Sequence, residues 1–221
     1  MNPQTPLTIE VVSDVVCPWC FIGLRRLKRA IALVRESHPN FQYVVHWRPF
    51  FLNPDTSPEG EPYLPFLIQK FGGSERVEAI WQRIRETGVP LGIDYQFEKI
   101  QVRANTLQAH RLIHWAQEKG DTSPLVERLF ALQFEQGENV SDREVLANAA
   151  TACGYSQAEV LAYLDSDEDR TLIQQMEEEA RTWGVNSVPT FIFDRQSGIQ
   201  GAEDPTVLAN EIKQVLAGTV K

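Results

Sequence analysis

Cys17-Pro18-Trp19-Cys20 directly follows the apolar, β-branched run Leu7 to Val16 (LTIEVVSDVV). The segment after it, Phe21 to Val34, has apolar residues at helical spacing, so the two cysteines lie where a strand passes into a helix. Two residues of separation on a first helical turn bring two sulfurs within bonding reach. The spacing therefore predicts a redox-active dithiol.

The position at the start of a helix predicts different roles for the two sulfurs. Free N–H groups and the positive end of the helix dipole favour the thiolate of Cys17, which is the attacking form. Pro18 suits the first helical position, where a missing N–H costs nothing. Cys20 falls one turn further in and is expected to be the less accessible, resolving sulfur. Trp19 adds an apolar surface and an indole N–H between them.

A zinc site is the alternative interpretation of the two cysteines, because half of a zinc module has the same spacing. It would need a second pair of ligands. Cys153 stands alone, and His110 and His114 lie far from Cys17 in sequence. The spacing matches no closed zinc module, so no metal is expected. Cys153 is expected to be a buried core thiol, with a role as a third redox group as the alternative.

A second informative block is Gly184 to Phe193 (GVNSVPTFIF), in which a proline precedes a β-rich run. Together with CPWC, this block resembles the thioredoxin superfamily, with Val188-Pro189 as its cis-proline loop. The resemblance implies that this loop faces the cysteines. It also implies that the backbone of Val188 pairs with an extended substrate segment, which makes Val188 and Pro189 candidate substrate-binding residues. An ordinary turn proline is the alternative.

The length and order of the chain narrow the resemblance to the DsbA family. DVVCPWCFIG, WRPFFLNP, NTLQAHRL, GVNSVPTFIF and GIQGAEDP are similar to the FrnE-like branch of DsbA-type oxidoreductases, over roughly Leu7 to Leu216. The implied fold class is α/β, a thioredoxin fold with an inserted all-helical domain. Residues 1–61 and 168–221 would form the discontinuous thioredoxin-like domain and residues 62–167 the inserted domain.

Helical periodicity and capping signals support that plan. Helices are predicted near 64–71, 75–87 and 105–117, with irregular chain over 88–99. Ser141 to Glu144 and Ser156 to Glu159 have the pattern of capping boxes, each of which would start a further helix.

Three further residues are candidates for the site. Asp14, three residues before Cys17, is either a polar turn residue or a proton acceptor for the dithiol, the role that the family resemblance suggests. NTLQAHRL resembles a recurring block of the FrnE-like branch, which would place Asn105 and His110 on the wall facing the cysteines. The alternative for His110 is a half-buried, hydrogen-bonded histidine.

Charge and composition indicate which partners and which cellular compartment to expect. The net charge of −9 argues against nucleic acids and anionic membranes, and no apolar run is long enough to cross a bilayer. MNPQTP at the start has neither a basic region nor an apolar signal core, which predicts a cytoplasmic protein. In that compartment a CxxC is expected to be catalytic rather than structural.

The predicted function is thiol-disulfide exchange with protein or low-molecular-weight thiols. The Cys17–Cys20 disulfide would be the only redox group, glutathione is a candidate substrate, and a reductase or glutathione would recycle the dithiol. Two alternatives stay open: a glutathione-dependent isomerase of the 2-hydroxychromene-2-carboxylate type, and a chaperone or binding module with a redox-linked role. The sequence predicts neither the direction of electron flow nor the oligomeric state.

Overall fold

Two sheets organise the computed structural model, which describes residues 6–219. Their strands are β1 (Leu7–Ser13), β2 (Tyr43–Pro49), β3 (Glu61–Pro62), β4 (Val102–Arg103), β5 (Thr190–Phe193) and β6 (Ser197–Gln200). The main sheet has the order β2-β1-β5-β6, with β1 and β2 parallel and the other neighbours antiparallel. The second sheet is the short antiparallel pair β3-β4.

Nine α-helices surround the sheets within residues 6–219. They are α1 (Pro18–Ser37), α2 (Tyr63–Phe71), α3 (Ser74–Gly88), α4 (Leu107–Gln117), α5 (Ser123–Ala131), α6 (Arg143–Ala152), α7 (Gln157–Asp165), α8 (Arg170–Thr182) and α9 (Pro205–Leu216). The helix α5 continues into a π-helical turn, Leu132–Gln136.

The alternation of side chains along β1 explains why helices cover both faces of the main sheet. Val11 belongs to the large core that also contains Leu24 of α1 and Leu208 of α9. Its neighbour Val12 lies in a separate cluster with Ala180 of α8. Successive residues of a strand point to opposite faces, so both faces of β1 are buried and the strand is almost continuously apolar.

This is the thioredoxin fold with helices inserted between β2 and α8, and the predicted fold class is confirmed. Between β2 and α8, the chain forms α2 to α7 together with the small β3-β4 sheet. The domain boundaries at 61/62 and 167/168 stay a prediction. Residues 1–5 and 220–221, which were assigned to the thioredoxin-like part, lie outside the described residues.

Two local expectations needed correction. The helix α6 begins after Asp142, not Ser141, because the Asp142 carboxylate accepts the N–H groups of Glu144 and Val145. The 88–99 stretch, expected to be irregular, contains the 3₁₀ turns Val89–Leu91 and Phe97–Lys99. The second capping residue is confirmed, since Ser156 accepts the N–H of Glu159 at the start of α7.

One residue on the outer edge of β2 is paired by a side chain of α4. The Gln117 carboxamide accepts a hydrogen bond from the N–H of Trp47 and donates one to its carbonyl oxygen. Both backbone groups of an edge-strand residue are therefore paired by a side chain.

Among residues 6–219, no helix combines the length and the apolar character needed to cross a bilayer.

Candidate active site

The first cysteine is the residue that caps the long helix α1. Cys17 has an extended backbone conformation (φ −97°, ψ 110°) and its N–H donates to the carbonyl oxygen of Asp14 at 3.0 Å. Pro18 is the first helical residue, as predicted, where it leaves no donor unpaired. The Cys17 side chain therefore lies at the N-terminal end of α1, where the first N–H groups of the helix have no partner within the helix.

The second cysteine lies beneath the first. Cys20 is 2% exposed and Cys17 5%, and both are free thiols. Burial, followed by the hydrogen bond and charge of the neighbouring Cys17 sulfur, raises the pKa of Cys20 well above its usual range. Hydrogen bonds from the Asp14 backbone and the Ser13 side chain oppose the rise without cancelling it. Cys20 is thus held as a thiol, chiefly by its burial.

The loop before β5 meets the first cysteine. The peptide bond between Val188 and Pro189 is cis, and the Cys17 Sγ lies 3.7 Å from the carbonyl oxygen of Val188. Pro189 is buried, while Val188 is half-buried and borders a groove. The structure therefore brings together four predicted positions, Cys17, Cys20, Val188 and Pro189, although they come from opposite ends of the chain.

A glycine of α1 permits this approach. A Cβ atom on Gly23 would lie 2.8 Å from Cγ of Pro189 and 3.1 Å from Cζ of Phe191. Real Cβ contacts are longer, so the helix and the proline loop can pack this closely only with glycine here.

A tyrosine from the inserted region fixes the start of α1 from the other side. The Tyr95 hydroxyl donates to the carbonyl oxygen of Pro18 at 2.6 Å, and the ring packs edge-on against Phe21. Burial, and then the Cys17 and Cys20 sulfurs, raises the pKa of Tyr95, so it remains a neutral donor. Tyr95 was not predicted as a site residue, because it lies in the stretch expected to be irregular.

A groove of about 370 Å³ opens in front of the dithiol. Cys17, Pro18 and Trp19 form one side and Val188 another. The inserted region supplies an aromatic wall, made of Tyr63, Phe66, Phe71, Trp81 and Phe97. At its rim, Arg103 lies 3.8 Å over the ring of Phe66 and pairs with Glu61. The groove offers an apolar surface directly beside a reactive sulfur.

Asp14 and His110 form a buried pair behind the cysteines. The Asp14 Oδ1 atom lies 3.4 Å from Nε2 of His110, and the Oδ2 atom accepts the N–H of Leu52 at 2.9 Å. The ring of Phe51 packs edge-on against His110. Asp14 reaches Cys20 through its backbone. The proton-acceptor role of Asp14 stays a prediction.

The chain that carries this site matches a known protein family over most of its length. A model described as DSBA-like thioredoxin domain matches residues 8–213. The chain belongs to the DSBA-like thioredoxin domain family. The probable DsbA oxidoreductase SCO1869 from Streptomyces coelicolor is similar to this DSBA-like chain, with 28% identity and a TM-score of 0.86, over 96% of this chain and 90% of that one.

Two more distant solved structures share the fold of this DSBA-like chain. The cytosolic disulfide reductase DsbM from Pseudomonas aeruginosa, solved with GSH, is 15% identical, with a TM-score of 0.63 over 95% of this chain and 99% of that one. A 2-hydroxychromene-2-carboxylate isomerase is 13% identical, with a TM-score of 0.66 over 96% and 97%. At these identities the likeness concerns the fold alone.

Asn105 does not line the groove of this DSBA-like chain. Its side chain donates to the carbonyl oxygen of Thr56 at 2.8 Å and accepts the N–H of Leu107 at 3.1 Å, so it joins the linker after β2 to the start of α4. It borders a separate cavity with Phe51, Glu177 and Glu178. His110 does not border the groove either, and its link to the dithiol runs through Asp14.

The residues considered for zinc lie apart from each other. His110 contacts Asp14, whereas His114 borders a cavity with Glu10 and Arg48. Within residues 6–219, no group of three histidine, cysteine or acidic side chains is arranged to hold a metal ion. Cys153 is half-buried at the end of α6, rather than fully buried as expected.

Proposed function

We propose that the chain is a thiol-disulfide oxidoreductase that exchanges disulfides with protein or low-molecular-weight thiols through Cys17 and Cys20. The observation that carries the proposal is the contact of the Cys17 Sγ with the Val188 carbonyl oxygen at the floor of the groove, above a buried Cys20. A disulfide seated in the groove would meet Cys17 first.

The reaction in the reducing direction has two steps. The Cys17 thiolate attacks one sulfur of the substrate disulfide, so that a Cys17–substrate bond forms and the other substrate sulfur leaves as a thiolate, which takes up a proton. Cys20 then loses its proton and attacks Cys17 Sγ. The Cys17–Cys20 disulfide forms, the second substrate thiolate leaves, and two electrons have passed to the substrate. Oxidation of a dithiol runs through the same steps in reverse.

The proposal also covers the role of glutathione, the cellular compartment and the branch of the family. SCO1869 is described as a probable DsbA oxidoreductase and DsbM as a cytosolic disulfide reductase with GSH. Those descriptions support glutathione as a substrate or recycling reductant and the cytoplasm as the compartment. Membership of the FrnE-like branch rests on the sequence blocks already quoted.

The deciding experiment replaces two of the three cysteines of the chain, one at a time. We expect Cys17→Ala to abolish turnover of insulin disulfides and of glutathione disulfide. Cys153→Ala is the matched control, because it removes a thiol outside the groove and is expected to retain the wild-type rate. Equal activity of wild type and Cys17→Ala would refute the proposal.

An isomerase acting through glutathione is the second candidate, favoured by the shared fold of 2-hydroxychromene-2-carboxylate isomerase. Such isomerisation transfers no net electrons and needs no second cysteine. Cys20 directly beneath Cys17 therefore favours the redox function. Full isomerase activity in a Cys20→Ser protein would reverse this preference.

A binding module with a redox-linked role is the remaining alternative, and the aromatic groove is the feature that suits it. It would suppress aggregation of an unfolded protein equally well with and without Cys17. Loss of insulin turnover in Cys17→Ala, with suppression of aggregation retained, would assign both activities to the chain.

A further inference from the structure

The groove in front of the dithiol is bordered by one buried polar side chain besides Cys17. Gln133 is 2% exposed and forms part of the wall. The other uncharged polar and charged side chains on the wall are half-buried or exposed: Asn53, Tyr63, Lys70, Arg103, Asn186 and Ser187. Gln133 therefore differs from them in being removed from solvent at the side of the groove.

The oxygen of the Gln133 amide has no protein partner among the described residues. This Oε1 atom is buried and makes no hydrogen bond within residues 6–219. Burying a polar group without a partner costs free energy, and native structures rarely retain such a group without a use for it. The neighbouring groove supplies the space in which a partner would sit.

The local backbone holds Gln133 at the groove. It belongs to the π-helical turn Leu132–Gln136, between the buried side chains of Leu132 and Phe134. The carbonyl oxygen of Phe134 accepts the N–H of Gln96 at 2.7 Å, which ties the turn to the segment that carries Tyr95. π-Helical turns are rare in proteins, and those that occur are often found at functional sites.

We propose that Gln133 binds the peptide amide next to the reacting cysteine of the substrate. A carboxamide both donates and accepts, so its best complement is another amide, and a peptide group beside a cystine sulfur would enter the groove together with that sulfur. The inference rests on the proposed thiol-disulfide exchange. Protein segments and glutathione both carry such an amide, and their shared chemistry is what Gln133 would recognise.

The test compares disulfides with and without an amide. The probes are glutathione disulfide, a short peptide containing a cystine, and bis(2-hydroxyethyl) disulfide, which has no amide. We expect Gln133→Leu to lower kcat/KM for the two amide-bearing probes about tenfold more than for bis(2-hydroxyethyl) disulfide, chiefly through KM, as for loss of one buried hydrogen bond. If Gln133→Leu lowers kcat/KM for the peptide alone, protein segments are the source of the amide. If it lowers kcat/KM for glutathione disulfide alone, glutathione is the source.

Two controls separate binding from folding. Gln136→Leu changes an exposed residue of the same π turn and is expected to leave the ratio of the kcat/KM values unchanged. Gln133→Leu is expected to unfold at the same or higher urea concentration, because an unpaired amide is replaced by an apolar group; Gln133→Met provides a second variant of similar length should Leu fail to fold.

The outcomes distinguish this inference from the function on which it rests. An unchanged ratio in a folded Gln133 variant would overturn the role of Gln133 while the exchange activity stands. A wild-type protein that turns over none of the three disulfides would instead refute thiol-disulfide exchange itself, and this inference with it.

Discussion

The Sγ atom of Cys17 lies 3.7 Å from the carbonyl oxygen of Val188, across 171 residues of chain. The Val188 carbonyl oxygen accepts the Cys17 thiol, and the family resemblance predicts that it would also accept the N–H of an extended substrate segment. The same contact orients the thiol at the floor of the groove.

Alkylation will distinguish the two thiols. At about pH 8, Cys17 in a Cys20→Ala protein is expected to react with iodoacetamide at least about tenfold faster than Cys20 in a Cys17→Ala protein, because burial keeps Cys20 protonated. The rate for Cys20 should still be rising above about pH 9. Equal rates and equal pH profiles in the two proteins would contradict the assignment of attacking and resolving sulfurs.

Asp14→Asn tests the proton-acceptor role. Asparagine retains an oxygen that can accept the N–H of Leu52, so we expect the free energy of unfolding to change by less than about 1 kcal/mol. Attack of Cys20 on a preformed Cys17–glutathione disulfide, followed by stopped-flow, should slow at least about tenfold if the carboxylate takes the proton. Unchanged kinetics would leave Asp14 with a structural role alone.

Tyr95→Phe removes the hydrogen bond that fixes the first turn of α1. The Pro18 carbonyl oxygen loses its hydroxyl partner, so we expect a loss of about 1 kcal/mol in the free energy of unfolding and a changed alkylation rate of Cys17. Tyr43→Phe, on the distant strand β2, is the matched control. If both variants behave alike, the Tyr95 hydroxyl does not position the dithiol.

Gly23→Ala will force α1 away from the proline loop. The added Cβ would lie 2.8 Å from Pro189, and overpacking of this kind costs about 1–3 kcal/mol in urea denaturation. Disulfide exchange should slow as well, because Pro189 and Val188 would move relative to Cys17. At an exposed helical position the same change raises stability, and a rise here would contradict the close packing.

Acid should weaken the fold through Glu10. Burial alone would raise the pKa of Glu10, but hydrogen bonds from Arg195 and Arg48 outweigh it and hold the pKa below 4.5. The unfolded state therefore binds the proton first, and the stability that the ion pairs contribute is present above about pH 4.5 and is lost as the pH falls through the folded pKa. The difference in free energy of unfolding between wild type and Glu10→Gln should shrink between about pH 7 and pH 3.

The sequence predicted the parts of the site that are encoded locally. CPWC at a strand-to-helix junction placed Cys17 at the cap and Pro18 at the first position of α1, because capping depends on a few adjacent residues. Resemblance to a known family added the Val188-Pro189 loop. The inserted helices also followed from their periodicity, and Ser156 from its capping pattern.

The walls of the groove depended on contacts that no short window of sequence contains. Tyr95 reaches Pro18 over 77 residues, from a stretch whose lack of periodicity concealed it. Gln133 lies in a π turn, and one extra residue per turn moves a side chain off the face that α-helical spacing predicts. Asn105 was placed on the wall by resemblance to a block, whereas its hydrogen bonds to Thr56 and Leu107 direct it to a neighbouring cavity.

The Gln117 carboxamide has a consequence beyond the fold of one molecule. By occupying the N–H and the C=O of Trp47, it takes up two hydrogen bonds that a strand added alongside β2 would otherwise form. A single amide side chain thereby closes one backbone position at the edge of the sheet to pairing with a second chain.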